Sequence, residues 1–72
     1  SLKKDIKLIG ISPNGLNIYS FRFKDDKYGK GLMQGVMADE VQHIPGAVIE
    51  WKGLKYVNYN EMDEIDVEFK KI

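Results

Sequence analysis

Apolar and polar residues alternate over several short stretches of this chain, which is the pattern of half-buried β-strands. The clearest stretch is Leu16–Lys24, where Tyr19, Phe21 and Phe23 fall on one side and polar residues fall mainly on the other. Aromatic residues favour strands, so we expect this aromatic face to point inward. A polar, glycine-containing loop follows, and Leu32–Met37 is predicted to be the returning strand.

The N-terminal stretch allows two interpretations. Leu2, Ile6 and Ile9 are spaced as on one face of a short helix. Ile6, Leu8 and the following Gly10 also permit a strand. The pattern alone leaves both possibilities open.

The segment Gln34–Val41 is predicted to be a buried strand that leads directly into a short helix. Asp39 and Glu40 fall in the first turn of that helix, where the helix dipole favours negative charge. We expect the helix to end by Ile44, because the Pro45-Gly46 pair that follows cannot continue it.

A β-hairpin is predicted around Lys52-Gly53, a two-residue turn between Ala47–Trp51 and Leu54–Tyr59. Folding about this turn places apolar residues opposite one another on one face and an opposite-charge pair on the other. The predicted pairs are Trp51 with Leu54, Ile49 with Tyr56, Glu50 with Lys55, and Val48 with Val57.

The C-terminal stretch is predicted to begin with Asn60 as the N-cap of a turn over residues 61–64. Ile65, Val67 and Phe69 then alternate with charged residues, as in a half-buried strand. No repeat or linker interrupts the chain. We therefore predict a small α+β fold in which residues 1–72 form a single domain of β-hairpins and short helices.

The size and composition of the chain narrow the possible functions. A domain of 72 residues buries a marginal core, and such domains usually need a disulfide, a metal or a partner subunit. Cysteine is absent, so self-association is the expected supplement. Eleven basic and eleven acidic residues balance, and Arg22 is the one arginine, so nucleic acid is not an expected partner. No apolar run is long enough to span a bilayer, so no membrane partner is expected.

Most of the candidate chemistry has a simpler structural explanation. His43 stands near Asp39 and Glu40, but the His-Glu-x-x-His pattern of zinc sites is missing, and we expect neither a metal nor a cofactor. The acidic pairs Asp25-Asp26 and Asp63-Glu64 fall in loops or turns and are expected to be solvated. By pattern alone, Lys3 and Lys4 are also a solvated pair.

Several segments together, in order, resemble the endosialidase-type intramolecular chaperone domain found at the C-terminus of phage tail spikes and tail fibres. This family is also classed as self-cleaving serine peptidases. The resemblance covers nearly the whole chain, and it rests on Leu2-Lys3-Lys4-Asp5-Ile6, Gly15–Phe23, Gly35–Val41, Pro45–Val48 and Tyr56–Tyr59.

The resemblance implies a homotrimer that aligns the chains of the fibre stalk N-terminal to it and is then released by autocleavage. It implies action in the bacterial host cytoplasm during virion assembly, with the domain either released from the tail fibre or retained on it. A permanent structural or receptor-contacting tip of a fibre is the alternative. The chain is accordingly expected to be one part of a longer fibre protein.

The family's cleavage motif is similar to Ser-Asp-x-x-Leu-Lys, with the serine as nucleophile and the lysine as general base. Leu2-Lys3 matches its end, so the resemblance makes Lys3 the candidate base. The serine would then lie roughly three residues before the chain begins, by the spacing of the motif. Ser1 does not match, because no aspartate follows it. Whether this domain is an enzyme is therefore left open by its sequence.

Overall fold

The computed structural model describes residues 2–59 and 69–72, and these form a small domain of antiparallel sheets with little helix. The elements are β1 (Lys3–Ile11), β2 (Asn17–Phe23), a short 3-10 helix (Asp26–Tyr28), β3 (Met33–Gly35), α1 (Ala38–Val41), β4 (Val48–Trp51), β5 (Leu54–Val57) and β6 (Lys70–Lys71). Four of the strands form one sheet in the order β1-β2-β3-β6, and β4 and β5 form a separate hairpin.

The N-terminal stretch is a strand, so the helical interpretation of its spacing is wrong. β1 pairs antiparallel with β2 across a turn that Ser12 closes, with its carbonyl accepting from the Gly15 amide at 2.9 Å. The Ser12 hydroxyl also accepts from the amide of Leu16 at 3.0 Å. Cross-strand pairing outweighs the helical spacing of three apolar residues, because it satisfies backbone groups along the whole strand.

Two β-bulges interrupt β1, one between Lys4 and Lys7 and one between Leu8 and Gly10. Each inserts one extra residue relative to β2 and increases the local twist. Asp5, in the first bulge, has a φ of +54°, a left-handed conformation that aspartate tolerates better than most residues. Because of each bulge, the N-terminal end of β1 lies opposite a residue of β2 one position closer to the turn between the two strands.

The predicted strand at Leu16–Lys24 is confirmed as β2, which runs between β1 and β3. Phe21 is fully buried on its aromatic face, as expected, while Phe23 and Tyr19 are partly covered. The rings of Phe21 and Phe23 meet edge to face with centroids 5.3 Å apart. The predicted returning strand is β3, which pairs antiparallel with β2.

The predicted strand-to-helix segment is also confirmed, with β3 leading through Val36 into α1. Asp39 and Glu40 occupy the first turn of α1, and the helix ends at Val41. Val36 and Val41 are buried together with Ala47, which follows the Pro45-Gly46 turn. This short helix thus buries one valine in the core and leaves its acidic residues exposed.

The hairpin forms in the predicted register, and all four predicted pairs are present. Lys52 and Gly53 both have positive φ, as the tight turn of a two-residue hairpin requires. Val48 and Val57 face the core, so the opposite face of the hairpin is left outside. Ile49 is 50% exposed on that face and Trp51 is 62% exposed.

The prediction of a capped turn at Asn60 and of a strand through Ile65 and Val67 lies outside the described residues. Phe69 is described, and its ring contacts Phe21, stacked with centroids 6.4 Å apart. β6 follows it and pairs with β3, Gln34 lying opposite Lys70.

A close approach between Gly35 and Tyr59 joins the last residue of β3 to the segment that follows β5. The Tyr59 hydroxyl accepts a hydrogen bond from the Val36 amide at 3.0 Å. A Cβ atom at Gly35 would clash with that hydroxyl and would crowd the rings of Phe69 and Phe21. Glycine is therefore required here by space, because the tyrosine fills the position where a side chain would stand.

We predict that Gly35→Ala and Tyr59→Phe each lower the free energy of unfolding, by about 1–3 kcal/mol. The first creates the clash, and the second leaves the Val36 amide without its acceptor. The double variant should lose clearly less free energy of unfolding than the two single variants lose together, because phenylalanine has no hydroxyl to clash with the new methyl group. Urea denaturation measures all three variants. Gly10→Ala is the control, since a Cβ there enters open space; additive losses would contradict this account.

Candidate active site

Lys3, the candidate base, lies at the first position of β1 and is held there by β2. It pairs with Phe23, and the amide of Lys24 donates to the carbonyl of Leu2 at 3.0 Å. These contacts fix the backbone where the chain enters the sheet. The lysine is therefore placed by an ordered strand pair.

The side chain of Lys3 lies over the aromatic face of the sheet. Its Nζ atom is 5.1 Å from the centre of the Phe21 ring, within the range of a cation–π contact. Neighbouring rings extend this face: Phe23 lies 5.9 Å from Tyr28 and 6.3 Å from Phe69, between centroids. The lysine thus stands at the edge of an aromatic cluster.

A cavity of about 190 Å³ opens beside this cluster. The aromatic cluster forms one wall, and residues of the hairpin segment, including Tyr56 and Val57, form another. Lys3 and Lys55 contribute the two ammonium groups among the described lining residues. Such a cavity favours an apolar group and leaves a lysine beside it poorly hydrated.

Burial lowers the pKa of Lys3 below the ordinary value of 10.5, because the charged ammonium loses water in this surrounding. The shift increases the fraction of neutral amine at any pH below that value. A neutral amine is the form that accepts a proton, so this environment adapts Lys3 to work as a general base.

A second depression, a groove of about 370 Å³, begins at the same point of the chain. Leu2 and Lys3 form one side, and the start of α1 and the hairpin turn form the other, through Ala38 and Gly53. At its rim the Lys55 ammonium donates to Asp39 at 2.9 Å. This bond is the main cause of a raised pKa for Lys55, so a smaller fraction of Lys55 than of Lys3 is neutral amine at a given pH. Lys3 therefore stands between a cavity and an open groove.

The other candidates from the sequence lie away from Lys3 or have structural roles. Lys4 pairs with exposed Arg22 on the opposite face of the sheet. His43 is exposed beyond the end of α1. Asp25 caps the 3-10 helix by accepting from the Lys27 amide at 3.0 Å. Among residues 2–59 and 69–72, no cluster of three or more His, Asp or Glu side chains is arranged to hold a metal ion.

Glu40 has a structural role that its sequence pattern did not reveal. Its carboxylate accepts from the Tyr19 hydroxyl at 2.6 Å and from the Asn17 side-chain amide at 3.1 Å. These bonds fasten α1 to β2. The bond to Glu40 also raises the pKa of Tyr19.

No family model, curated protein or solved structure matches this chain at a significant level. In the described part of the chain, no helix has both the length and the apolar character needed to cross a membrane. The function must therefore be argued from the residues around Lys3 and from the surfaces that the fold exposes.

Sequence reasoning missed the aromatic residues around Lys3 that come from outside β2. Tyr28 was assigned to a polar loop, and Tyr59 to the end of a strand. The ring of Tyr59 lies 5.5 Å from that of Phe69, between centroids. The sequence did contain a signal for this cluster, since it has more aromatic residues than one strand face can hold.

We predict that the Lys3 ammonium titrates with a midpoint below 10.5, because burial destabilises its charged form. NMR shifts of the side chain measure this directly. The pH dependence of unfolding would not isolate the Lys3 titration. Folding stability rises as pH passes the folded pKa of Lys3, because the cost of burying its charge is then lost. The raised pKa of Tyr59, caused mainly by burial, instead makes stability fall above pH 10.0.

The bulge at Asp5 offers a matched pair of variants for this titration. Glycine accepts the positive φ there, so Asp5→Gly should keep the lowered midpoint. Valine does not, so Asp5→Val should disturb the bulge and move the midpoint toward 10.5. A midpoint at or above 10.5 in the unsubstituted chain would show that the Lys3 amine is hydrated.

Proposed function

We propose that this chain is an intramolecular chaperone domain of a phage tail fibre or tail spike. In this proposal it joins three copies of the fibre protein, aligns them for folding, and is released by self-cleavage that uses Lys3 as general base. The observation that carries the proposal is the position of Lys3. Its partly desolvated amine stands at the entry of the chain, beside a groove that can receive the preceding segment.

The proposed cleavage step uses this placement of Lys3. A serine hydroxyl upstream of Leu2 gives its proton to the neutral Lys3 amine and attacks the carbonyl carbon of the adjacent peptide bond. That C–N bond breaks, and the leaving amine takes the proton from the Lys3 ammonium. Water then hydrolyses the resulting ester and regenerates the serine. The groove would hold the upstream segment with its serine near Lys3 during these steps.

Trimerisation gives such a domain a physical role in the folding of a fibre. Three separate chains that must intertwine lose much conformational entropy, and their long-range contacts form slowly. A terminal domain that associates first raises the effective concentration of the stalk chains and sets their register. Cleavage afterwards leaves the folded fibre kinetically stable, because its assembly factor is gone. We place this action in the host cytoplasm during virion assembly.

We predict that the chain cleaves itself when it is extended at its N-terminus by a segment that completes the Ser-Asp-x-x-Leu-Lys motif at Leu2-Lys3. Expression of this longer chain should yield two fragments. Lys3→Ala should leave one uncut, folded chain, as should replacement of the upstream serine by alanine. Removing a general base typically costs about 10²–10⁴-fold in rate. Electrophoresis and mass spectrometry measure the fragments over time.

Lys4→Ala is the matched control, because Lys4 lies on the opposite face of the sheet and should not affect cleavage. Cleavage of the Lys3→Ala chain at the normal rate would refute the assignment of the base. A chain with all motif residues that stays uncut, and that remains on the mature fibre, would instead identify a permanent tip domain.

We predict that the cleavage rate rises with pH and reaches half its maximum below pH 10.5. Only the neutral Lys3 amine can accept the serine proton, and its pKa is lowered by burial. Quenched time courses between pH 6 and pH 10 measure this dependence, and the apparent pKa should match the NMR midpoint of Lys3. A rate that does not vary with pH would exclude a titrating lysine as the base.

A further inference from the structure

The cavity beside Lys3 has the size and the walls to hold an aromatic ring. Its volume of about 190 Å³ exceeds the roughly 150 Å³ of an apolar protein cavity that binds benzene. Most of its described walls are aromatic or aliphatic, among them Phe21, Phe23, Tyr28, Val57, Tyr59 and Phe69. A ring that enters would therefore contact the faces and edges of other rings, which are favourable arrangements for aromatic groups.

Lys3 brings a nucleophilic group to the wall of this cavity. Its Nζ atom lies 5.1 Å from the centre of the Phe21 ring, and the pairing of β1 with β2 fixes the backbone from which the side chain extends. Burial lowers the pKa of Lys3, so more of its amine is neutral than in water. A neutral amine carries the lone pair that attacks a carbonyl carbon, and lysines with lowered pKa values commonly form Schiff bases.

The second amine that lines the cavity, that of Lys55, is held in its charged form. Its ammonium donates to the Asp39 carboxylate at 2.9 Å and to the Gln42 side-chain carbonyl at 3.5 Å. The bond to Asp39 is the main cause of the raised pKa of Lys55. Of the two lysines at the cavity, Lys3 is therefore the nucleophile.

We infer that the cavity beside Lys3 is a binding site for an aromatic aldehyde, which the Lys3 amine captures covalently as an imine. The ring of such a ligand suits the apolar walls, and its carbonyl carbon is an electrophile that an amine at the wall can attack. This inference goes beyond the proposed function, because it requires neither an upstream serine nor cleavage of the chain.

The covalent step needs no further reactant. The nitrogen lone pair of Lys3 attacks the carbonyl carbon, and the electrons of the C–O π bond move to the oxygen. One N–H proton passes to that oxygen, which gives a carbinolamine. The C–O bond then breaks as the oxygen takes a second proton, and the nitrogen gives up its remaining proton as the C=N bond forms. Both amine protons thus leave with the oxygen as one molecule of water.

Reductive labelling of the intact chain with benzaldehyde and cyanoborohydride tests this inference. Cyanoborohydride converts the imine into a stable benzylamine, and mass spectrometry of peptides measures the labelling rate at each lysine. At neutral pH, Lys3 should be labelled at least about tenfold faster than exposed Lys4, because a bound ring raises the local concentration of the aldehyde. The α-amine of the chain is left out of the comparison, because its ordinary pKa is already close to neutral.

Two controls separate the cavity from the general reactivity of a lysine. Acetaldehyde has the carbonyl group without the ring, so it should show a clearly smaller preference for Lys3 over Lys4. Benzyl alcohol has the ring without the carbonyl group, so it should slow the labelling of Lys3 by benzaldehyde and leave Lys4 unaffected. Unfolding the chain in concentrated urea removes the cavity and should abolish the preference.

Equal labelling of Lys3 and Lys4 by benzaldehyde in the folded chain would overturn the inference, as would labelling of Lys3 that benzyl alcohol does not slow. A Lys3 amine with a lowered NMR midpoint but no preference for benzaldehyde would refute the aldehyde site and leave the proposed general base untouched. Selective and competable labelling of Lys3 in a chain that does not cleave itself would support the aldehyde site and count against the proposed cleavage.

Discussion

The smallness of the buried core constrains every other part of this structure. A domain of this length buries only about 60% of the surface of its unfolded chain, so its stability is marginal. Here the core depends on β2, whose Phe21 is fully buried, and on the valines that α1 and the segment before it contribute. The Tyr59 hydroxyl joins the hairpin segment to this core at Val36. Apolar side chains that find no place inside, among them Ile11 and Trp51, stay exposed.

The same shortage of covering structure explains the environment of Lys3. Lys3 lies over the aromatic face of β2, with its Nζ atom 5.1 Å from the centre of the Phe21 ring. Its aliphatic stem can cover apolar surface while the amine loses part of its hydration, which lowers its pKa. A poorly hydrated lysine and several exposed apolar side chains are thus two features of one small and incompletely covered fold.

The sequence predicted best where residues near in the chain determine the structure. The hairpin register follows from Lys52-Gly53 and the pairs on either side of it, because a slip of one residue would turn every side chain to the wrong face. Which hairpin face packs inward was not predictable, because it depends on the distant core residues Val36 and Val41.

The cross-strand partner of Lys3 likewise could not be predicted from the sequence. Counted from the Ile11–Asn17 pair without bulges, Lys3 would stand opposite Asp25 in the loop. The two bulges move it to Phe23 and over Phe21, yet no residue between Lys4 and Gly10 marks them. Aspartate with positive φ is only an occasional signal of such a bulge.

The claim most central to this account is that association completes a core too small for one chain. The dependence of the thermal unfolding midpoint on protein concentration tests it most directly, because association stabilises only the folded form. The account predicts a midpoint that rises steadily from micromolar to millimolar chain concentration. A midpoint that stays the same over this range would show that the single chain is stable by itself and would contradict the account.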